Sequence, residues 1–471
     1  MDKFNIKKIC CIGAGYVGGP TMAVFASHCP NIEIKVVDIN KERIDAWNSV
    51  DLKQLPIFEP GLDDLVINHR NKNLFFTTNL KESISLADMI FISVNTPTKI
   101  KGVGAGQAID LKWVESSARQ IAEYSKGHTI VVEKSTLPVK TAETIKKILL
   151  SSQDLNCKDR KTFSVLSNPE FLSEGNAIND LQNPDRVLIG GDDQNAIDSL
   201  SNIYSKWVPK EKVLKTNIWS SELSKLTANA FLAQRISSVN SISSLCEITG
   251  ADIHQVCKAV GMDSRIGQKF LAPGPGFGGS CFQKDILNLV YLCNFYNLEE
   301  VANYWQSVLD INNWQKSRIS KIVVNCLFGN VSSKKIAILG FSFKANTNDT
   351  RQSPSISICK DLIEEGAHLS IYDPKVEKYK IEKDLADQKI NNNDYGTWKI
   401  CSSIKESALK SDAVVILTEW EEFYDINWND LFRLMRKPSW IFDTRKCIDY
   451  QKAKKAGFNI WEIGNSQLIN N

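Results

Sequence analysis

Short apolar runs alternate with stretches of helical period along this chain, and the alternation occurs twice. KKICCIGAGYVGGPTMAVFASHC passes from an apolar run through a glycine turn into a helix, with Pro20 near the helix start, where its missing N–H is tolerated. Strand-like runs follow at Ile34–Asp38, Ala87–Pro97 and His128–Thr136, with helical stretches between them. After residue 330 the plan returns: Lys334–Lys344, His368–Asp373, Ser411–Trp420 and Trp440–Arg445. Such alternation predicts parallel sheets covered on both faces, hence an α/β chain with two nucleotide-binding-like domains.

A helical region separates the two halves. Trp219–Asp252 contains no proline and no glycine before Gly250, and its apolar positions Leu223, Leu226, Ala230, Ala233 and Ile236 recur at three and four. One helix of about 28 residues, roughly 42 Å long, is expected, with Ser220 or Ser221 as N-cap. That length suits a bridge between domains, or pairing with its own copy in a dimer. The organisation read from the chain is residues 1–215, 216–330 and 331–471, with Asn391–Trp398 (NNNDYGTW) as a surface loop.

Composition narrows the classes. A chain of 471 residues exceeds one ordinary core. Lys plus Arg number 57 against 54 for Asp plus Glu, so net charge gives no reason to propose nucleic acid or an anionic membrane as partner. The 12 cysteines are scattered, without zinc-ligand spacing or the density of a disulfide framework, and point to reduced thiols in the cytoplasm. No metal is expected. Lys3, Lys7 and Lys8 precede a stretch from Ile9 to Ile32 that lacks Lys, Arg, Asp and Glu and superficially resembles an export signal. Gly13, Gly15, Gly18, Gly19 and Pro20 interrupt it too heavily for a continuous apolar helix, so export is not expected.

Chemistry concentrates in a few places. Gly13-Ala14-Gly15-Tyr16-Val17-Gly18 fits a dinucleotide turn, between a strand and a helix, with Asp38 twenty residues past Gly18. An acid there suits a ribose 2′-hydroxyl and favours NAD over NADP, while Arg43 keeps the second open. Lys225 and Asn229 stand at i and i+4; with Glu222 at i−3, the local reading favours a solvated Glu222–Lys225 pair over an ammonium aimed at an oxyanion. In GFGGSCFQKD, Cys281 follows three glycines and precedes Lys284 and Asp285, and is as well read as a nucleophile as a buried thiol. The five histidines avoid every such cluster, which leaves carboxylates, lysine, cysteine and water to do any proton transfer. SNPEFLSEG offers Glu170 and Glu174.

GAGYVGGPT, VNTPT, EKSTLPV, LSNPEFLSEG, SSELSKLTANAFLAQRISS, GFGGSCFQKDILNLVYLC, GFSFKANTNDTR and FDTRK occur in the order found in the UDP-glucose/GDP-mannose dehydrogenase family. The resemblance runs from Lys8 to Gly464 and is closer to the animal-type members than to the bacterial ones. It implies two Rossmann-like doubly wound domains joined by a central helical region with one long helix. It also implies NAD-dependent four-electron oxidation of UDP-glucose to UDP-glucuronate, through a thiohemiacetal and a thioester on Cys281. By the same resemblance Lys225 holds the oxyanion, and Asp285 accepts a proton with a bound water that Thr136 positions. Glu170 assists hydrolysis, and Asn229 contacts the sugar. NAD is expected at Gly13 to Gly18, Asp38 and Arg43, then at Val94, Asn95, Thr96, Pro97 and Thr98. Ser135, Thr136, Leu137, Glu174, Arg351 and the thiol segment Cys281, Phe282, Gln283 and Lys284 complete that set.

The sugar nucleotide is expected at Glu170, Phe171, Leu172, Ser173 and Glu174, at Lys225 and Asn229, and at Phe343, Lys344 and Arg445. To these the resemblance adds the loop Ala272, Pro273, Gly274, Pro275, Gly276, Phe277 and Gly278. Arg265 resembles a residue that reaches a neighbouring subunit's sugar, which implies at least a homodimer and suggests a hexamer. Pro273, Pro275, Ala272, Ala345 and Thr444 depart from the family's usual letters. Rival readings are a two-electron hydroxyacid dehydrogenase, a sister enzyme acting on GDP-mannose or a UDP-aminosugar, and a non-catalytic nucleotide-sugar sensor.

Overall fold

The computed structural model describes residues 4–151, 161–386 and 396–465. The chain divides into two compact units, Met1–Ala228 and Asn229–Asn471.

In the first unit eight strands form one sheet: β1 (Lys8–Ile12), β2 (Glu33–Val37), β3 (Leu74–Thr77), β4 (Met89–Ile92), β5 (His128–Glu133), β6 (Thr162–Ser167), β7 (Val187–Gly191) and β8 (Val213–Thr216). Their order is β3-β2-β1-β4-β5-β6-β7-β8, so the first six take the 3-2-1-4-5-6 arrangement of a dinucleotide-binding sheet. The unbroken apolar run of β1 has a direct cause. Ile9 and Cys11 enter one core cluster and Cys10 and Ile12 another, because helices cover both faces. The stretch that resembles an export signal is therefore β1, its turn and the buried helix Gly18–His28.

The expectation of a wholly parallel sheet fails at one step. β7 runs antiparallel to β6, pairing Leu166 with Gly191 and Ser167 with Gly190. The helix between them, Ala177–Gln182, has 6 residues. At about 1.5 Å per residue it cannot span a strand of roughly 17 Å, so the chain turns back instead of crossing over.

The second unit holds a six-stranded, wholly parallel sheet of β9 (Lys335–Leu339), β10 (His368–Tyr372), β11 (Thr397–Ile400), β12 (Ala413–Ile416), β13 (Trp440–Asp443) and β14 (Asn459–Glu462). The order is β11-β10-β9-β12-β13-β14. β9 again sends alternate residues to two cores, Ile336 and Ile338 to one and Ala337 and Leu339 to the other. Of the loop expected over 391–398, residues 391–395 lie outside the described set. Thr397 and Trp398 are strand, registered against His368 and Leu369.

The long helix spans Ile218–Thr249, 32 residues, slightly longer than its pattern predicts. Its cap is neither Ser220 nor Ser221: Asn217 Oδ1 accepts from Ser220 N at 2.8 Å, and the buried Ser221 hydroxyl donates to Ser167 Oγ at 3.0 Å. Leu226, Ala230 and Ala233 are buried as expected, but Leu223 is exposed. In the second unit Ala230 and Ala233 share a core with the loop residue Phe277, with Ile286 and Leu289 on the helix Phe282–Phe295, and with Trp305 and Leu309 on the helix Glu299–Cys326.

Candidate active site

In the first unit the expected site residues gather at the carboxyl ends of parallel strands, where an open α/β sheet binds ligands. Gly13 follows β1 with φ +109, and a Cβ there would lie 2.3 Å from Ser93 O. A Cβ on Gly18 would lie 2.0 Å from Gly13 O, so both turn glycines are required by close packing. Gly15 differs: a Cβ there would meet nothing within 4 Å. Its missing side chain leaves room for a group to approach the backbone, as a pyrophosphate does at a helix start. Asp38 follows β2 and braces this turn. Its carboxylate accepts from Ala14 N at 3.0 Å, Asn40 N at 2.9 Å and Arg43 Nη1 at 3.0 Å. A carboxylate has about four lone-pair positions, so one stays available to a ribose hydroxyl. Trp47 Nε1 donates to Ala14 O at 3.0 Å, a brace the sequence does not announce.

The loops after β4 and β5 are tied together. Ser135 Oγ donates to Val94 O at 2.7 Å and Thr96 Oγ1 to Thr136 O at 3.3 Å, while Thr98 bridges to Ile109 and Leu137 enters the core. Asn95 and Pro97 lie on the same loop, whose Pro97 O accepts from Asp110 N at 2.7 Å. After β6, Glu170 is buried, accepts from Thr136 Oγ1 at 3.1 Å and faces Lys225 Nζ at 3.7 Å. Phe171 lies under two cations, Lys225 Nζ at 5.4 Å and the Arg186 guanidinium at 3.9 Å from the ring centre. Leu172, Ser173 and Glu174 continue this loop, and Ser173 N donates to Asp180 Oδ2 at 2.8 Å.

These positions overturn the solvated Glu222–Lys225 pair. Both side chains are buried, and each has its own partner. Glu222 accepts from Lys140 N at 2.7 Å and Ala142 N at 2.8 Å, capping the start of the helix Thr141–Ser151, while Lys225 turns to Glu170.

Two further buried groups lie beneath, unnoticed in the sequence. Lys134 Nζ donates to Asn168 Oδ1 at 3.1 Å and Tyr204 Oη at 3.2 Å, and burial lowers its ammonium pKa to about 8 against the opposing pull of Glu170. Glu133 faces Glu222, and its pKa rises because burial, and then the Glu222 charge, penalise its ionised form. Glu222 is also raised by burial, but the backbone N–H groups of Ala142, Lys140 and Thr141 favour its charge, so the shared proton resides on Glu133. In the folded chain Glu133 keeps a proton that the unfolded chain loses above about pH 4.3. The folded state then binds more protons, and this site's contribution to stability falls as pH rises, by about 1.4 kcal/mol per pH unit while the difference lasts. Glu133→Gln, whose amide can donate to Glu222, is expected to flatten the decline of Tm as pH rises above the range where the unfolded carboxyl ionises. Parallel Tm curves for parent and variant would rule out the shared proton.

In the second unit Cys281 occupies the N-cap of the helix Phe282–Phe295, partly exposed and outside any disulfide. Its loop is set by close packing. A Cβ on Gly278 would lie 2.8 Å from Phe343 Cβ and 2.6 Å from Gln352 O, and one on Gly274 3.2 Å from Arg445 Nη1. Gly279 N donates to Arg351 O at 2.8 Å. The fold thus brings Gly274 to Gly278, Cys281, Phe343, Arg351 and Arg445 into one neighbourhood. Arg445 Nη2 donates to Phe343 O at 3.2 Å, and Lys344 Nζ stands 5.7 Å from the Phe343 ring centre. One turn into the thiol helix, Asp285 is buried and accepts from Asn229 Nδ2 at 2.6 Å, with Lys284 Nζ at 3.8 Å from its other oxygen. Phe282 packs edge-on against Phe277, their ring centres 5.7 Å apart.

Arg265 is not drawn into this set. It is exposed, with its guanidinium held by Asp263 at 3.0 and 2.6 Å. The histidines stay out as well: His28 stacks on Trp207 and His128 on Phe4. Among the described residues no group of His, Cys, Asp or Glu could hold a metal, and no helix is long and apolar enough to cross a membrane.

Comparison with known proteins is consistent along the whole chain. Residues 7–208 match the model of the UDP-glucose/GDP-mannose dehydrogenase family's NAD binding domain, 219–314 its central domain and 337–450 its UDP binding domain. UDP-glucose 6-dehydrogenase of Bos taurus is 55% identical over 469 residues, 98% of this chain and 94% of the relative. The Drosophila melanogaster protein of the same name is 54% identical over 464 residues, 97% of this chain and 96% of the relative. A UDP-glucose dehydrogenase from Pyrobaculum islandicum superposes with TM-score 0.82 at 27% identity, covering 97% of this chain and 98% of that one. The animal proteins are thus much nearer in sequence than this archaeal one.

Proposed function

Since this chain belongs to the UDP-glucose/GDP-mannose dehydrogenase family, with an NAD binding domain, we propose that it oxidises UDP-glucose to UDP-glucuronate through covalent capture on Cys281. The carrying observation is the partly exposed Cys281 at a helix start, behind a glycine loop packed against Phe343 and Arg445. A dehydrogenase acting once would leave an aldehyde. The helix N-terminus favours negative charge on sulfur, and a thiolate can add to the aldehyde carbon. The resulting thiohemiacetal loses a second hydride to become a thioester, and water cleaves it to the acid and returns the thiolate. Capture divides a hard step in two and keeps the aldehyde from escaping.

NAD, when bound, takes up one hydride in each oxidation. The Gly15 gap, the backbone around Gly13 and Gly18, and the free lone pair of Asp38 are its fitting partners here. Lys225 places its ammonium to hold the developing oxyanion. Asp285, oriented by Asn229, accepts a proton through water, and Thr136 and Glu170 orient water for hydrolysis. On this reading residues 1–215 carry NAD, 216–330 the thiol and 331–471 the sugar nucleotide.

The rivals fit less well. A two-electron hydroxyacid dehydrogenase needs neither the Cys281 loop nor the second parallel sheet. A sensor needs none of the buried carboxylate and ammonium arrangement. A cytoplasmic enzyme is the reading proposed here, on cysteines that are scattered along the sequence without the density of a disulfide framework. Phe231, Ile242, Leu245 and Ile248 expose an apolar stripe on the long helix, which supports a homodimer at least and, by family, a hexamer. A single-chain mass by sedimentation at micromolar concentration would sink that part.

The deciding experiment counts NADH formed per UDP-glucose consumed at completion. Two are expected. One would mean that oxidation stops at the aldehyde, and none would send the search to other nucleotide sugars.

A further inference from the structure

Between Gly274 and Phe277 the chain has no neighbouring strand, yet its buried peptide groups need partners. Three side-chain amides supply them. Asn240 Oδ1 accepts from Gly274 N at 2.9 Å, and Gln315 Nε2 donates to Gly274 O at 2.9 Å. Asn312 pairs with both groups of one residue: its Oδ1 accepts from Phe277 N at 2.8 Å and its Nδ2 donates to Phe277 O at 3.2 Å. Asn240, Asn312 and Gln315 are all buried, the last two on the helix Glu299–Cys326. The opposite side of the loop packs against Phe343 and Arg445.

We propose that Asn312 is a positioning residue for the sugar nucleotide, fixing through Phe277 the loop that leads into Cys281. The inference rests on the reading that this loop receives the UDP-sugar. The amide offers one donor and one acceptor side by side, whereas an ionised carboxylate in its place sets an oxygen against Phe277 O. The clamp also dictates Gly276. A Cβ there would stand 2.8 Å from Asn312 Oδ1, at φ +126, so the amide approaches only because the residue has no side chain. Phe277 passes the constraint on, since its ring abuts Phe282, the first residue of the thiol helix. The hydrogen bonds of Asn312 go to the Phe277 backbone, so its effect comes through loop geometry. Misplacement on the scale of 1 Å is worth about 10²-fold in rate.

The test compares Asn312→Asp with the parent enzyme, using UDP binding by calorimetry and steady-state kinetics with both substrates. Binding of UDP is expected to weaken about 10-fold or more and kcat/KM for UDP-glucose to fall about 100-fold, while KM for NAD stays within about twofold. A general loss of structure would move both KM values together. Gln315→Met, which removes one contact, gives a smaller change of the same kind and serves if the first variant does not fold. If both variants fold and bind UDP as tightly as the parent with unchanged kcat/KM, the positioning role is wrong. If the parent itself binds no UDP, the reading of the loop fails instead, and the inference falls with it.

Discussion

Cys281→Ser is expected to stop steady-state formation of the acid, lowering turnover by about 10³-fold or more, the scale on which enzymes lose activity with their nucleophile. Serine is nearly the same size, and a hydroxyl is a preferred helix N-cap, whereas Cys281 makes no side-chain capping bond. Thermal stability is therefore expected to hold or rise slightly. A loss of activity with an unchanged Tm isolates chemistry from folding. The variant keeps Lys225, Asp285 and the NAD turn, so the first oxidation is not directly removed. What it lacks is a thiolate to trap the aldehyde and a thioester to hydrolyse. Mass spectrometry of the parent quenched during turnover should find the sugar nucleotide attached at Cys281, and the serine variant should lack the thioester. Full acid production by Cys281→Ser would show that hydration of a free aldehyde suffices and that the sulfur is structural.

The parts of this site that the sequence reveals are those whose chemistry is local. The glycine turn reads correctly because its requirements lie within a few residues: Gly13 needs a positive φ, and Gly18 meets Gly13 itself. Cys281 is legible as a candidate for the same reason, since glycines and a helix start adjoin it. Lys225 is not. Its i−3 neighbour Glu222 suggests a surface pair, and nothing local says that this face of the helix's first turns is buried, where Glu222 caps another helix and Lys225 meets Glu170. The Asn312, Gln315 and Asn240 clamp is likewise invisible, because Asn and Gln on amphipathic helices are ordinary until a strandless backbone is laid against them. The two-sheet plan follows from apolar runs too continuous for one-sided burial. The reversal at β7 does not, because the apolar pattern marks strands without giving their direction. By residue type Ser220 and Ser221 suit a cap, but Asn217, a better-placed acceptor, takes the position.

Lys225→Met is expected to lower kcat by about 10² to 10³-fold, the range for removing one charge-stabilising donor from a developing oxyanion. KM for NAD should change little, because no expected cofactor contact is lost. Lys225→Arg should not rescue, since a planar guanidinium cannot take the compact ammonium's place beside the Phe171 ring and Glu170. A stability effect competes with this interpretation. Lys225 and Glu170 are both buried, and removing one partner of a buried pair typically costs about 3–5 kcal/mol because the other charge is stranded. Thr136 Oγ1 still donates to Glu170 and softens the loss, but a lower Tm is expected. The double variant Lys225→Met/Glu170→Gln separates the two effects. It strands no charge, and the glutamine keeps an oxygen for Thr136, so Tm should recover most of the loss. Activity should not recover, because the oxyanion still lacks its cation and hydrolysis now lacks its carboxylate. The thermodynamic cycle over Tm, completed by Glu170→Gln, then reports the pair, while the rate of Lys225→Met alone reports the ammonium. Recovery of both together would mean that Lys225 serves only to neutralise Glu170, and the oxyanion would need another donor.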